Sequence, residues 1–469
     1  MQSAAELRRQ AEQAVAQGRF AEAADLYRRE AAIYRKNGDT NGAKVEEMKA
    51  DRYSSSIKLF AHLAGARPWI PANLGKWEPP YGCYLGGFID RDERLGEPFN
   101  DENFQTHQNP DAFARLVGKK HASLFCYLSY GKKFPSRWVD RLRQQRVAPH
   151  IAWEPNKGLD EVRGDTYLRQ FALSCAEARV PIFLRFASEM NGDWTRYHGD
   201  PAGYRAKWIM VAQTMRQFAP NVAMLWCVNS IPEKNIKDYY PGDDYVDWVG
   251  VNFYSVPFYD NNRNRPGLAD NPADTLKYIY GLYAEKKPIA IGEFGASHLS
   301  KVDGQDRYEW AAKKINELYA SLPRLYPRVK MVDIFDMDNL KYAEPGRQLN
   351  NYSITDSDGV KDGYRRAVAP DYFLSRIGAT ARPTPIVSLT NGLSVPRGTL
   401  RVSSWARCYA NKFTVQYLLD GKPAGDANEP GPREVDLEIS NPGIHKIAGI
   451  VKDDKGRVAA KAEVSVSVQ

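Results

Sequence analysis

The chain has 469 residues, too many for one ordinary domain of about 100–200 residues, so two or three domains are expected. A hydrophobic fraction of 43% with 26% charged residues excludes a disordered tail or a fibrous repeat, and no apolar run approaches the length of about 18 residues that crosses a membrane. The formal charge of +8, from 65 basic and 57 acidic residues, comes without a block of like charges and gives nucleic-acid binding no support.

Residues 1 to about 60 are rich in Ala, Glu and Arg and carry no strand signal. Leu7, Ala11, Ala14 and Val15 share a helical face, and Gly18 and Gly38 fall where helices should stop. The stretch GRFAEAADLYRREAAIY resembles one tetratricopeptide unit. A few such helices cannot bury their faces alone. Residues 1–65 are therefore expected to form a TPR-like helical cap on the next domain, or else a docking site for a protein partner.

Residues 75–380 alternate apolar runs with amphipathic helical patterns. The runs begin at Gly82, Ala122, Ala148, Ile182, Val222, Asp247, Pro288 and Met331. Several are apolar without alternation, as strands covered on both faces should be. Eight such units predict a (β/α)₈ barrel. An open doubly wound sheet is the alternative, weakened because no Gly-rich phosphate loop follows the first run. Residues 384–469 lose helical periodicity. Short runs (TLRVSSW, FTVQYLL, EVDLEI, HKIAGIV, AEVSVSV) separated by turn signals predict a small β-sandwich of immunoglobulin size. The expected linker is Ala381–Pro385. The fold class is thus a multidomain α/β chain: a central barrel, an N-terminal helical segment and a C-terminal immunoglobulin-like sandwich.

Five cysteines, Cys83, Cys126, Cys175, Cys227 and Cys408, form no Cys-x-x-Cys and no His-paired cluster. Neither a disulfide scaffold nor a metal site is expected.

Barrel chemistry belongs at the C-terminal ends of the strands. The fourth run ends in Ser188-Glu189-Met190 and the seventh in Gly292-Glu293-Phe294. Strands 4 and 7 face one another across a barrel mouth, so both carboxylates can reach one cavity. Glycoside hydrolysis needs such a pair, one to protonate the leaving oxygen and one to attack. A separation of about 5–5.5 Å would give retention through a covalent glycosyl-enzyme. Side-chain alternation places Arg185 on the face of Ala187 and Glu189, and Asn252 on the face of Tyr254. Aromatics make up 12% of the chain, and sugar rings stack on their faces. Trp194 and Tyr197 follow strand 4, Trp153 ends strand 3, and Trp226 lies in strand 5. His298 follows Glu293 by five residues.

The motif RFASEMNGDWTRY resembles the fourth-strand motif of glycoside hydrolase family 26, a family of clan A typified by β-mannanases. YYPGDDYVDWVGVNFYS and IAIGEFG resemble that family's sixth and seventh strands, and the likeness covers the middle domain only. It implies Glu189 as acid/base, Glu293 as nucleophile, and Tyr254 as the donor that orients the nucleophile. Ser188 stands where the family commonly has His, and strand 8 lacks the usual Trp platform. The expectation is a retaining hydrolase acting internally on a β-linked polysaccharide, β-mannan or else a β-glucan, β-xylan or exopolysaccharide. It would need no metal or organic cofactor. The rival reading is an inactive barrel that holds carbohydrate or scaffolds polysaccharide assembly. The opening residues contain no basic-then-apolar segment. A mature secreted enzyme with an added Met would look the same, so that absence is weak evidence for the cytoplasm; a secreted or periplasmic protein is expected, with the cytoplasm as the alternative.

Overall fold

The computed structural model describes residues 2–64, 70–381, 385–409, 413–427 and 433–468. Most of the expected linker, residues 382–384, lies outside the described residues.

All eight expected barrel strands form: Cys83–Phe88, Ser123–Ser129, Ala148–Glu154, Ile182–Phe186, Val222–Asn229, Trp248–Ser255, Ile289–Ala296 and Val329–Phe335. They pair in parallel in chain order from the second to the eighth, and the eighth pairs with the first. The ring closes where Ala122 N–H donates to the Leu85 carbonyl at 2.7 Å. A short strand, Phe373–Leu374, adds in parallel beside the first. Inside the barrel, Tyr84, Phe183, Leu225, Trp248 and Met331 form an apolar plug. Another layer is polar: His150 Nδ1 meets Asp333 Oδ2 at 2.8 Å, both fully buried. Gly86 makes room for that aspartate, since a Cβ there would lie 1.6 Å from Asp333 Oδ1.

The N-terminal region contains three helices, Ala4–Ala16, Phe20–Lys36 and Thr40–Arg52. Ser3 and Glu6 form a capping box at the first, satisfying two backbone donors reciprocally. Gly18 and Gly38 follow the first two helices in left-handed backbone, as their positions predicted. Arg8 bridges Glu30 at 2.6 Å and Glu46 at 3.0 Å, and Lys49 meets Glu46 at 2.9 Å, so two cations offset two buried carboxylates.

Ser56–His62 is a β-strand, contrary to the expectation of no strand signal here. It pairs antiparallel with both Ile386–Ser388 and Gly398–Arg407. With Arg433–Ile439 these make a four-stranded sheet. A five-stranded sheet faces it, made of Ser394–Val395, Phe413–Leu419, Lys422–Ala427, Gly443–Asp453 and Val458–Val468. Ile57, Leu59, Val402, Val415, Ile447 and Val466 fill the space between the sheets. Phe60, on the opposite face of its strand, joins the barrel core instead. On that opposite face Lys58 stays exposed, and the alternation of Ser56, Lys58 and His62 with Ile57, Leu59 and Ala61 is broken by Phe60, leaving only a short strand signal. Trp405 and Tyr417 are buried, and Tyr409 packs 4.6 Å from the Phe20 ring, so none of these sandwich aromatics forms an exposed platform.

Candidate active site

The fourth strand stops at Phe186. Ala187 and Glu189 then take left-handed backbone, φ 47° and 59°. Such backbone costs about 1–3 kcal/mol per residue and persists only where the surroundings over-determine it. Here they do: Ala187 N–H donates to the Trp153 carbonyl at 3.0 Å, and Glu189 N–H to the Cys227 carbonyl at 2.9 Å. Strand alternation thus does not aim Glu189, as the sequence reading assumed; a turn tied to strands 3 and 5 does. Its side chain lies half-buried at the mouth, where Oε2 accepts from Trp194 Nε1 at 2.8 Å and Oε1 from Asn252 Nδ2 at 2.9 Å.

Glu293 sits past a register shift in the seventh strand, between Ile291 and Glu293. Gly292 occupies the shift because no side chain fits. A Cβ would lie 2.7 Å from Asn252 Oδ1, 2.8 Å from Cys227 Sγ and 3.0 Å from Arg185 Nη1. Three donors reach Glu293: Arg185 Nη2 at 2.6 Å and the Tyr127 hydroxyl at 2.7 Å bind Oε1, and the Tyr254 hydroxyl binds Oε2. Arg185 is fully buried, its guanidinium 4.9 Å from the Phe125 ring centroid, and Nη1 also donates to the Gly292 carbonyl. Asn252 Oδ1 accepts from Arg185 Nη1 at 3.4 Å. One guanidinium and one amide therefore connect the two glutamates.

Their surroundings differ. Burial, and then the charge of Glu293, push the Glu189 carboxyl above its ordinary range, against the pull of the Asn252 and Trp194 donors. Burial and the neighbouring Glu293 carboxylate likewise hold the Tyr127 and Tyr254 phenols in their neutral, donating form.

Both glutamates line one cleft of about 660 Å³, with Tyr127, Glu154, Trp194, Tyr197, Tyr254, Phe335 and Tyr352 among its walls. A side pocket of about 210 Å³ shares Tyr127, Glu154 and Asn156 with it. Trp194 is 43% exposed, and its ring lies over Gly192, where a Cβ would meet it at 2.3 Å. Phe335 takes the strand-8 end where no Trp is present.

The structure separates the other candidates. Arg185 and Asn252 lie beneath the cleft as positioning residues and do not line it. Tyr197 is buried, its hydroxyl on Glu154 and on the Ser188 carbonyl. Trp153 has no exposed surface and stacks on Phe171 with ring centroids 4.0 Å apart. Trp226 is equally enclosed, against Tyr240 and Tyr283. His298 is buried and bonds Asp356 at 3.0 Å, away from the cleft. These last three cannot meet a substrate in this arrangement, because the core that holds them leaves no face open. Glu154 and Tyr127 belong to the site and were not singled out from sequence. Glu154 ends its apolar strand, the signal that identified Glu189 and Glu293, whereas Tyr127 lies two residues before the end of Ser123–Ser129. In place of a histidine, Ser188 binds Glu154 through its backbone N–H, at 3.1 Å, and through its hydroxyl.

Residues 166–272 match the model of the family Glycosyl hydrolase family 26. A β-1,3-xylanase, TXYA, of Vibrio sp is 31% identical over 96 residues, which cover 19% of this chain and 20% of that protein. Endoglucanase H of Acetivibrio thermocellus is 24% identical over 239 residues, 46% of this chain and 25% of that protein. The chain thus spans a quarter or less of the length of these curated relatives. Among solved structures, a GH26 β-mannanase of Bacteroides ovatus is similar with a TM-score of 0.43 and 13% identity, covering 64% of this chain and 91% of that one.

Proposed function

We propose that this chain, whose middle domain belongs to glycoside hydrolase family 26, is a retaining glycoside hydrolase that cuts a β-linked polysaccharide internally. The observation that carries the reading is the pair Glu189 and Glu293 on one cleft in opposite environments. Glu189 is raised by burial and suits a proton donor. Glu293 has both oxygens fixed by donors and suits a nucleophile.

In the first step Glu293 Oε2 or Oε1 attacks the anomeric carbon while Glu189 gives its proton to the departing glycosidic oxygen. Esterification of Glu293 removes the negative charge that raises Glu189. The Glu189 carboxylate then takes a proton from water, which attacks the anomeric carbon and frees Glu293. Asn252 and Trp194 keep Glu189 in place through both steps. The side pocket continues the cleft past Glu154, which suits a chain gripped along its length rather than at one end. Such a polymer places the enzyme outside the cytoplasm, secreted or periplasmic.

Glu293→Ala should abolish reducing-sugar release from any polysaccharide the wild type cuts. A mechanism-based 2-fluoro glycoside should add its mass to the Glu293 peptide. Label on another residue with loss of activity would move the nucleophile, and no turnover by the intact protein on any β-glycan would leave a carbohydrate-holding scaffold.

A further inference from the structure

The mouth of the cleft carries a charge pattern that the double displacement does not use. Arg196 and Arg347 line the main cleft, and Lys132 lines the side pocket. All three are exposed. None makes an ion pair or side-chain hydrogen bond with another described residue. Other exposed cations, such as Arg265, Lys341 and Arg401, have carboxylate partners.

The three carboxyl groups in the walls do not offset them. Glu293 is paired with the buried Arg185. Glu189 holds its proton in the resting enzyme on the reading above. Burial raises the Glu154 carboxyl, against the pull of Arg185 and of the Ser188 and Tyr197 donors, and so disfavours a charge on it. With Arg185 and Glu293 cancelling and burial disfavouring charge on Glu189 and Glu154, the three unpaired cations dominate the rim.

We propose that the substrate is an anionic β-linked polysaccharide whose repeat unit carries a carboxylate, engaged by Lys132, Arg196 and Arg347 at the rim. Guanidinium groups meet carboxylates through two parallel N–H donors, and a cationic mouth over low-dielectric walls concentrates a polyanion. This inference rests on the hydrolase reading and names the substrate class for it. The carboxylate can belong to a uronic acid or to an acyl substituent, and the two sources are separable.

The test uses the full chain and six polymers. They are a β-linked glucuronate-bearing polysaccharide and its carboxyl-reduced form, a succinylated β-glucan and its alkali-deacylated form, and neutral β-mannan and β-1,3-xylan. The expected result is a kcat/KM at least about tenfold higher on an anionic polymer than on its neutralised form, a preference that shrinks as salt rises. Lys132→Gln, Arg196→Gln and Arg347→Gln should each lower kcat/KM roughly two- to fivefold on the anionic polymer and leave the neutral ones unchanged. In parallel, Glu293→Ala protein should be retarded in native gels containing the anionic polymer, and retardation should vanish in the triple Gln variant. Cleavage that ignores polymer charge, salt and the three substitutions overturns this inference and leaves the hydrolase reading standing. Charge-dependent retardation without turnover supports it and overturns hydrolysis. A protein that neither cuts nor is retarded by any anionic polymer overturns it as well.

Discussion

Tyr254 and Tyr127 each hold one oxygen of Glu293, so removing a single hydroxyl tests how much the orientation of that carboxylate matters. A hydrogen bond to a charged group contributes about 1.5–3 kcal/mol. Tyr254→Phe should therefore lower kcat roughly 10- to 100-fold with the fold intact, measurable as turnover at saturating polymer alongside an unchanged melting temperature. Glu189 gives a prediction with a sign. Burial and the Glu293 charge raise its carboxyl, so the folded protein holds that proton more tightly than the unfolded chain. Ionised Glu189 then costs stability, a cost absent at low pH and growing as pH rises above the ordinary carboxylate range. Glu189→Gln removes this titration. The melting temperature of the variant minus that of the wild type should be more positive at pH 7 than at pH 4, and a difference that shrinks with pH would contradict the assignment. Activity of the wild type should fall on the alkaline side as the same proton is lost.

At the scale of elements, the register shift at Gly292 brings Arg185, Asn252 and Cys227 against one backbone position. Gly292→Ala would push into all three, at a cost of about 1–3 kcal/mol for overpacking. A drop in melting temperature together with at least about a tenfold loss of kcat/KM is expected, read by thermal denaturation and steady-state kinetics. The eight barrel strands were legible because a parallel strand buried on both faces is a continuous apolar run, and so was the rule that chemistry lies where such runs stop. That rule reached Glu189 and Glu293. Applied evenly it reaches Glu154, which ends its strand, but not Tyr127, which lies two residues short of its strand's end. The left-handed backbone at Ala187 and Glu189 was not legible, because it is imposed by carbonyls of other strands rather than by the local residues. Trp194 read as a sugar contact from its loop position, whereas Trp153 and Trp226, in strands, read equally as core, and their stacking on Phe171, Tyr240 and Tyr283 decides for core. Ser56–His62 was hidden for a related reason: its partner strands lie more than three hundred residues away.

For the whole molecule, that strand ties the two ends together. Arg407, on its partner strand, donates to the Asp51 carbonyl and to Asp274 on a barrel helix, while Arg324 of the barrel meets Glu434 of the sandwich at 2.8 Å. Removing residues 384 onward would leave Ile57 and Leu59 without a facing sheet and Asp274 without its guanidinium. Losing one partner of a buried pair alone costs about 3–5 kcal/mol. The truncated protein should lose most of its soluble yield, and a truncated barrel melting at the wild-type temperature would refute the coupling. The chain also departs and returns at one point, where Leu63 N–H donates to the Pro385 carbonyl at 3.1 Å. On the ribosome, Ser56–His62 emerges long before the segments that cover it. At about 5–20 residues per second the nascent strand waits tens of seconds with its greasy side chains uncovered. Folding in the cell should accordingly lean on chaperones that shield early-made segments, and slowing translation across the barrel should lengthen that dependence.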